Sequence, residues 1–345
     1  MMLRRRRCGG GSKNSFTLVE NNDSGEVFDP SITTSIDTTL VWVSSDGYST
    51  TTTGTTHDLS YTAPANGPRK WTITCVAGLG AISRIDMNTD KLERIDISLL
   101  RSLLDARAYH NASLVMSLRD LPRGLTYFMS YECPFIVGDL GDLPKPNTHV
   151  HVGECTQITG DLSDLPRSLY VCYLYDNKKI TGNLSDLAPT INDLHLGYID
   201  NIYGSLSHIT SNMLYAFLQG NSHIVACSVS HLVSIRDLRI YGMQWSSASV
   251  DTVLLSISDA IHANPGHFTY ATPHLEIGGS NDPPGGNASA AITDPLDTPG
   301  SGESDSDWQW DDVAGKHKAL TGMAAIWVMR NNPDHAWTVT ATEVT

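Results

Sequence analysis

The segments beginning at Gly138, Gly160, Gly182 and Gly204 share one pattern, Gly-polar-Leu-x-polar-Leu/Ile, and start 22 residues apart. A unit this short cannot bury its own apolar side, so neighbouring units must stack and share one continuous core. The period therefore predicts a solenoid.

The register extends beyond these four segments. Ile82, Leu103, Leu125, Asn147, Leu169, Ile191, Met213 and Ile235 open eight units, with one step of 21 residues and the rest of 22. Three and five residues after each start come further inward positions, such as Cys172 and Leu174 or Leu194 and Leu196. Alternation along a short strand sends these toward one core. Eight residues after each start stand Asp90, Asn111, Cys133, Cys155, Asn177, Ile199, Asn221 and Met243. Each unit then closes through an apolar residue, a glycine and a Leu-x-x-Leu return. The proline at 144 or 166 limits helix length there.

The resulting L-x-x-L-x-L-x-x-N/C pattern resembles the leucine-rich repeat family over residues 81–246, about half the chain. The resemblance implies an α/β leucine-rich repeat solenoid with a parallel β-sheet on the concave face and short turns or 3₁₀ pieces on the convex face. It also implies that Asn111, Cys133, Cys155, Asn177 and Asn221 form a structural ladder pairing the backbone of the turn that leaves each strand.

Two other regions flank the repeats. Residues 14–80 alternate in short Thr- and Val-rich runs, such as Thr39 to Val43 and Lys70 to Val76, separated by turns at Asp46-Gly47 and Pro64 to Gly67. They read as a small β-sandwich. The order of Trp42, Asp46-Gly47, His57, Tyr61 and Trp71 resembles PKD-like, immunoglobulin-type domains. Residues 247–345 leave the repeat as a mixed α/β C-terminal cap: a helix over 248–263, a strand over 272–278, a helix over 321–330 and a strand over 337–342. A mobile acidic loop spans about 283–312.

Composition restricts the partners. A formal charge of −14, from 23 basic and 37 acidic residues, argues against nucleic acid, whose binders gather Lys and Arg on one face. The one basic run, Arg4 to Arg7, lies in a flexible start at 1–13 and precedes Cys8 and glycines rather than an apolar stretch. Neither a signal peptide nor a transmembrane segment is recognised, and membrane insertion is not expected. The cysteines form no CxxC pair, so neither a zinc site nor a disulfide framework is expected. Cys133 and Cys155 could lie within bonding distance in adjacent units, but ladder thiols are the simpler reading. No cofactor and no catalytic residues are assigned. The run from Glu303 to Asp312 lacks calcium-loop spacing, and His149, His151 and His195 span too much of the stack for one metal shell. Trp308 and Trp310 are set down as docking on the cap or on a partner.

In a repeat of this kind, residues flanking the inward strand positions face the concave surface. Four after each start stand Arg107, Met129, His151, Tyr173, His195, Phe217 and Arg239. Two further on stand Tyr109, Tyr131, Gly153, Tyr175, Gly197, Gln219 and Tyr241, with acids interleaved at Asp105, Glu132, Glu154, Asp176, Asp193 and Asp237. Large planar side chains with polar tips suit recognition. The ligand-binding set is therefore Tyr109, Tyr131, His151, Glu154, Tyr173, Tyr175, Asp176, His195, Phe217 and Tyr241, with Tyr173 and Tyr175 as anchors. The two resemblances together imply a non-catalytic recognition or adhesion module of a virion, such as a phage, or of a bacterial surface. It would bind a cell-surface glycan or protein. The alternative is an architectural virion or filament subunit whose repeat surface packs on another subunit.

Overall fold

The computed structural model describes residues 14–88, 91–285, 308–311, 316–332 and 334–341. The basic start at 1–13, the repeat position Asp90 and residues 286–307 and 312 of the acidic loop lie outside them. The chain forms two compact units, Met1–Ile158 and Thr159–Thr345.

In the first unit, four three- to five-residue strands, Ile82–Asp86, Asp105–Arg107, Tyr127–Met129 and His149–His151, pair in parallel and in register. Alternation buries Ile85, Ala106, Phe128 and Val150 and leaves their neighbours on the opposite face. The open edge of this stack is covered from the N-terminal side. The long strand Ser31–Ser44 pairs antiparallel with Ile82–Asp86 through its first residues and with Arg69–Cys75 through its last. Ser49–Asp58 returns along it as a hairpin, and Ser15–Glu20 flanks Arg69–Cys75. These strands form one antiparallel sheet. A separate two-stranded ladder pairs Val27–Phe28 with Tyr61–Thr62. Trp42, Trp71 and Phe28 are fully buried here, and the Arg69 guanidinium meets the buried Glu20 carboxylate at 2.7 Å.

The second unit is built in the same way from Val171–Tyr173, Asp193–His195, Tyr215–Phe217 and Asp237–Arg239, again parallel and in register. The repeat does not stop at 246. His274–Glu276 pairs in parallel with Asp237–Arg239, and Thr338–Thr340 with His274–Glu276. Leu275, Ile277 and Val339 point inward as the earlier repeat residues do. Insertions of tens of residues hide this continuation from a period-based reading. Helix α1 (Ser247–Ala263) buries Val250, Val253, Leu254, Ile257 and Ile261, and Ser246 caps it by accepting the Ser249 N–H. Helix α2 (Gly322–Arg330) lies against α1.

The return side was expected to hold short turns or 3₁₀ pieces rather than full helices. The 3₁₀ turns are present, at Leu118–Asp120 and Leu140–Asp142 in the first unit and at Leu162–Asp164, Leu184–Asp186 and Leu206–His208 in the second. Each follows a short parallel strand of a second sheet, such as Ile180–Asn183 beside Ile202–Ser205. The repeating glycine explains why the pattern demands glycine inside that strand. Gly182 has φ +139°, and a Cβ there would lie 2.7 Å from the Leu162 nitrogen. Both the backbone conformation and the close approach exclude a side chain. The architecture is a parallel-strand β-solenoid with few helices. Among the described residues no helix is long and apolar enough to cross a membrane.

Candidate functional site

The outward residues of the parallel strands make a continuous row within each unit. In the second unit, Tyr173 stacks on His195 with centroids 3.9 Å apart, and His195 stacks on Phe217 at 3.9 Å. The Arg239 guanidinium then lies 4.2 Å from the Phe217 centroid. Strand spacing brings equivalent side chains within ring-stacking distance, so a row of planar residues at one register position stacks on itself. Charged groups hold its ends: Tyr173 donates its hydroxyl proton to Asp193 Oδ2 at 2.7 Å, and Arg239 donates to both oxygens of Asp237. His274 Nδ1 approaches the same carboxylate at 2.9 Å.

His195 is the electrostatic consequence of this packing. Its imidazole is pushed down to about 4, first by burial between two rings and then by the Arg239 charge, against an opposing pull from Asp237. Asp193 Oδ1 lies 3.7 Å from Nε2, but loss of hydration outweighs this neighbour. His195 is therefore neutral at pH 7 and contributes a flat polar ring rather than a charge.

The first unit repeats the theme. Arg107 donates to both Asp105 oxygens and places its guanidinium 4.5 Å from the Tyr127 centroid, and Tyr127 stacks on His149 at 5.1 Å. Tyr109 stacks on Tyr131 at 4.8 Å, and Tyr131 on His151 at 4.2 Å. His110 joins them, with Nδ1 2.8 Å from Glu132 and Nε2 3.1 Å from the Tyr131 hydroxyl.

Beside each row runs a turn position with left-handed backbone. It is occupied by His110, Glu132 and Glu154 in the first unit, and by Asp176, Tyr198, Gly220 and Gly242 in the second. Glu154 and Asp176, expected among the ligand-binding residues, thus sit on the bend leaving the strand. The ladder residues lie beneath. Asn111 Nδ2 donates to the carbonyls of Met87 and Ala108 while its Oδ1 accepts the Leu92 N–H. Asn221 does the same with Leu196, Leu218 and Ile199. Asn177 Nδ2 donates to the Leu174 carbonyl. The Cys133 and Cys155 thiols donate to the carbonyls of Ala108 and Ser130 and are free. Burial pushes the Cys133 thiol up to about 11 and raises Cys155 further, which disfavours the reactive thiolate. At the turn where Met243 stands in the ladder position, Asn281 supplies the amide: it donates to Ile240 and Ile277 and accepts from Met243 N–H.

Within the second unit the structure brings Tyr173, His195 and Phe217 together, and places Tyr241 one column over, its hydroxyl 3.0 Å from that of Tyr198. Tyr175 is half-buried. Within the first unit it brings together Tyr109, Tyr131 and His151. Three residues of the same surface escaped the sequence reading. Tyr127 and Tyr215 stand two residues before the positions read as facing outward, and strict alternation places them on the same side. Tyr198 lies on the turn, where no periodic signal marks an aromatic.

Among the described residues no cluster of three or more His, Cys, Asp or Glu is arranged to hold a metal ion. A cavity of about 530 Å³ beside α1 gathers Ser228, Ser230, Asp259 and His267. There His267 Nε2 donates to the Ser230 carbonyl at 2.6 Å, so that nitrogen serves no serine hydroxyl as a base. No protein-family model matches the chain, and no curated protein matches it.

Proposed function

We propose that the chain is a non-catalytic recognition or adhesion module, of leucine-rich-repeat type with a PKD-like N-terminal region, acting on a virion or a bacterial surface. Its outward rows would contact a cell-surface glycan or protein. The observation that carries this reading is the row Tyr173, His195, Phe217 and Arg239, a set of interface-type side chains already locked in place. Tyr and Arg dominate binding energy at protein interfaces, and rings ordered beforehand lose little entropy on contact. The repeat-family assignment is supported by the amide and thiol ladder through Asn111, Cys133, Cys155 and Asn221.

The test is binding of labelled protein to candidate host cells and their isolated surface glycans, comparing wild type with the double variant Tyr173→Ala, Tyr175→Ala. Loss of binding in a folded double variant supports recognition on this face. Equal binding, or none by either protein, favours the second reading, an architectural subunit whose repeat surface packs on another subunit. One observation favours that alternative: both faces of the His195 and Phe217 rings are already covered by neighbours in the same row.

A further inference from the structure

The rings of the second unit's row present their edges outward, because their faces are spent on each other. His195 lies between Tyr173 and Phe217, and Phe217 between His195 and Arg239. A sugar ring is amphipathic, with an apolar C–H face and a rim of hydroxyls, and it stacks on an aromatic face rather than an edge. The row offers no such face at His195 or Phe217.

Tyr198 is built differently. It holds the left-handed turn position with φ +58°, where the next two turns carry Gly220 and Gly242. A bulky side chain is strained in this conformation and glycine is not. The ring fits because Gly220 leaves it room: a Cβ there would come within 2.5 Å of Tyr198 Cδ1. The hydroxyl is steadied by the Tyr241 hydroxyl at 3.0 Å. Tyr198 remains 38% exposed, and among the described residues no other ring stacks on it. Polar groups lie at its backbone: Lys178 Nζ donates to the Tyr198 carbonyl at 2.5 Å and lies 3.4 Å from Asp200 Oδ1. The left-handed φ is shared by His110, Glu132, Glu154 and Asp176 at the equivalent turns, so what sets Tyr198 apart is a ring seated on Gly220, steadied by Tyr241 and partly exposed.

We propose that Tyr198 is a platform for a pyranose ring of a glycan, which stacks its C–H face on the phenol while Lys178 and Asp200 exchange hydrogen bonds with its hydroxyls. This rests on the recognition reading above and moves its sugar-contacting centre from Tyr173 and Tyr175 to the turn. Lys178 supplies donors and Asp200 acceptors, the pairing that a neutral polyol needs. No covalent step is involved.

The test is saturation-transfer NMR and calorimetric titration of the full chain with four probes: methyl β-galactoside, methyl α-glucoside, methyl α-mannoside and N-acetylglucosamine. At least one should bind. Tyr198→Phe, which keeps the ring, should hold affinity within about threefold, whereas Tyr198→Ala and Tyr198→Gly should lower it by about tenfold or more, the scale of one lost stacking contact. Tyr198→Gly relieves the turn, so its melting temperature should not fall, which separates lost binding from lost folding. Tyr173→Phe should bind the sugar as wild type does. Binding of no probe, or binding that survives Tyr198→Gly, overturns the platform. If the sugars fail but cell binding persists and is lost in the Tyr173, Tyr175 double variant, the platform is wrong and recognition by the row stands. If cell binding is absent as well, both readings fall.

Discussion

Two neighbouring columns of the second unit follow the same 22-residue period and behave oppositely. The row Tyr173, His195, Phe217 and Arg239 places a planar group at every turn, and each covers the next. The turn column Asp176, Tyr198, Gly220 and Gly242 places one ring beside glycines, and that ring stays 38% exposed with no second ring stacked on it among the described residues. A repeated aromatic position stabilises itself and closes its faces; a single aromatic in a column of small residues keeps a face for something else. The same logic holds in the first unit, where Tyr131 lies between Tyr109 and His151.

Acid is the strongest way to break the row. His195 has its folded value near 4, below the ordinary 6.5. The unfolded chain therefore takes up the proton first, so the contribution is full above about pH 6.5 and is lost as pH falls toward 4. Its size is on the order of 3 kcal/mol. Urea denaturation between pH 7 and 4 should show that slope, and His195→Phe should flatten it.

Phe217→Ala should be nearly as costly, about 2–3 kcal/mol by urea denaturation, because a large half-buried ring and its two stacked partners lose contact. It should also raise the His195 value measured by NMR titration, since one face of the imidazole regains water. An unchanged value would mean that the stack is not what dehydrates His195.

Gly220→Ala attacks the other column. It places a Cβ against Tyr198 at a residue with φ +77°, and should cost about 2 kcal/mol from strain and displacement together. The His195 titration should not move, which tests whether the two columns are independent. The smallest effect has the opposite sign. Tyr198→Gly should stabilise the chain by about 1 kcal/mol, read as a higher urea midpoint, because glycine adopts the left-handed turn without penalty.

Legibility differed by residue. The amide and thiol positions Asn111, Cys133, Cys155, Asn177 and Asn221 stand out because their spacing and chemistry agree, and each donates to a backbone carbonyl, Asn177 to its own repeat and the other four to the preceding one. Inward positions such as Cys172, Leu194 and Ala216 were equally plain from alternation. The short strands of the return side were not, since two to five residues carry too little pattern to separate a strand from a turn. Nor was the extension of the parallel sheet through Leu275 and Val339, because the intervening insertions break the period.

Sequence by itself determined the 22-residue repeat up to 246, its register and the residues such as Cys172, Leu194 and Ala216 that enter the core, because a stacked unit must return its chain to the same place every turn. Only the tertiary structure decided what the outward residues do to one another. Whether a ring is covered, and whether a histidine is dehydrated, depends on side chains 22 residues away whose rotamers are fixed by packing between turns. Tyr198 and Gly220 are an instance: each is unremarkable in its own segment, and only stacking places the ring in the space the glycine leaves.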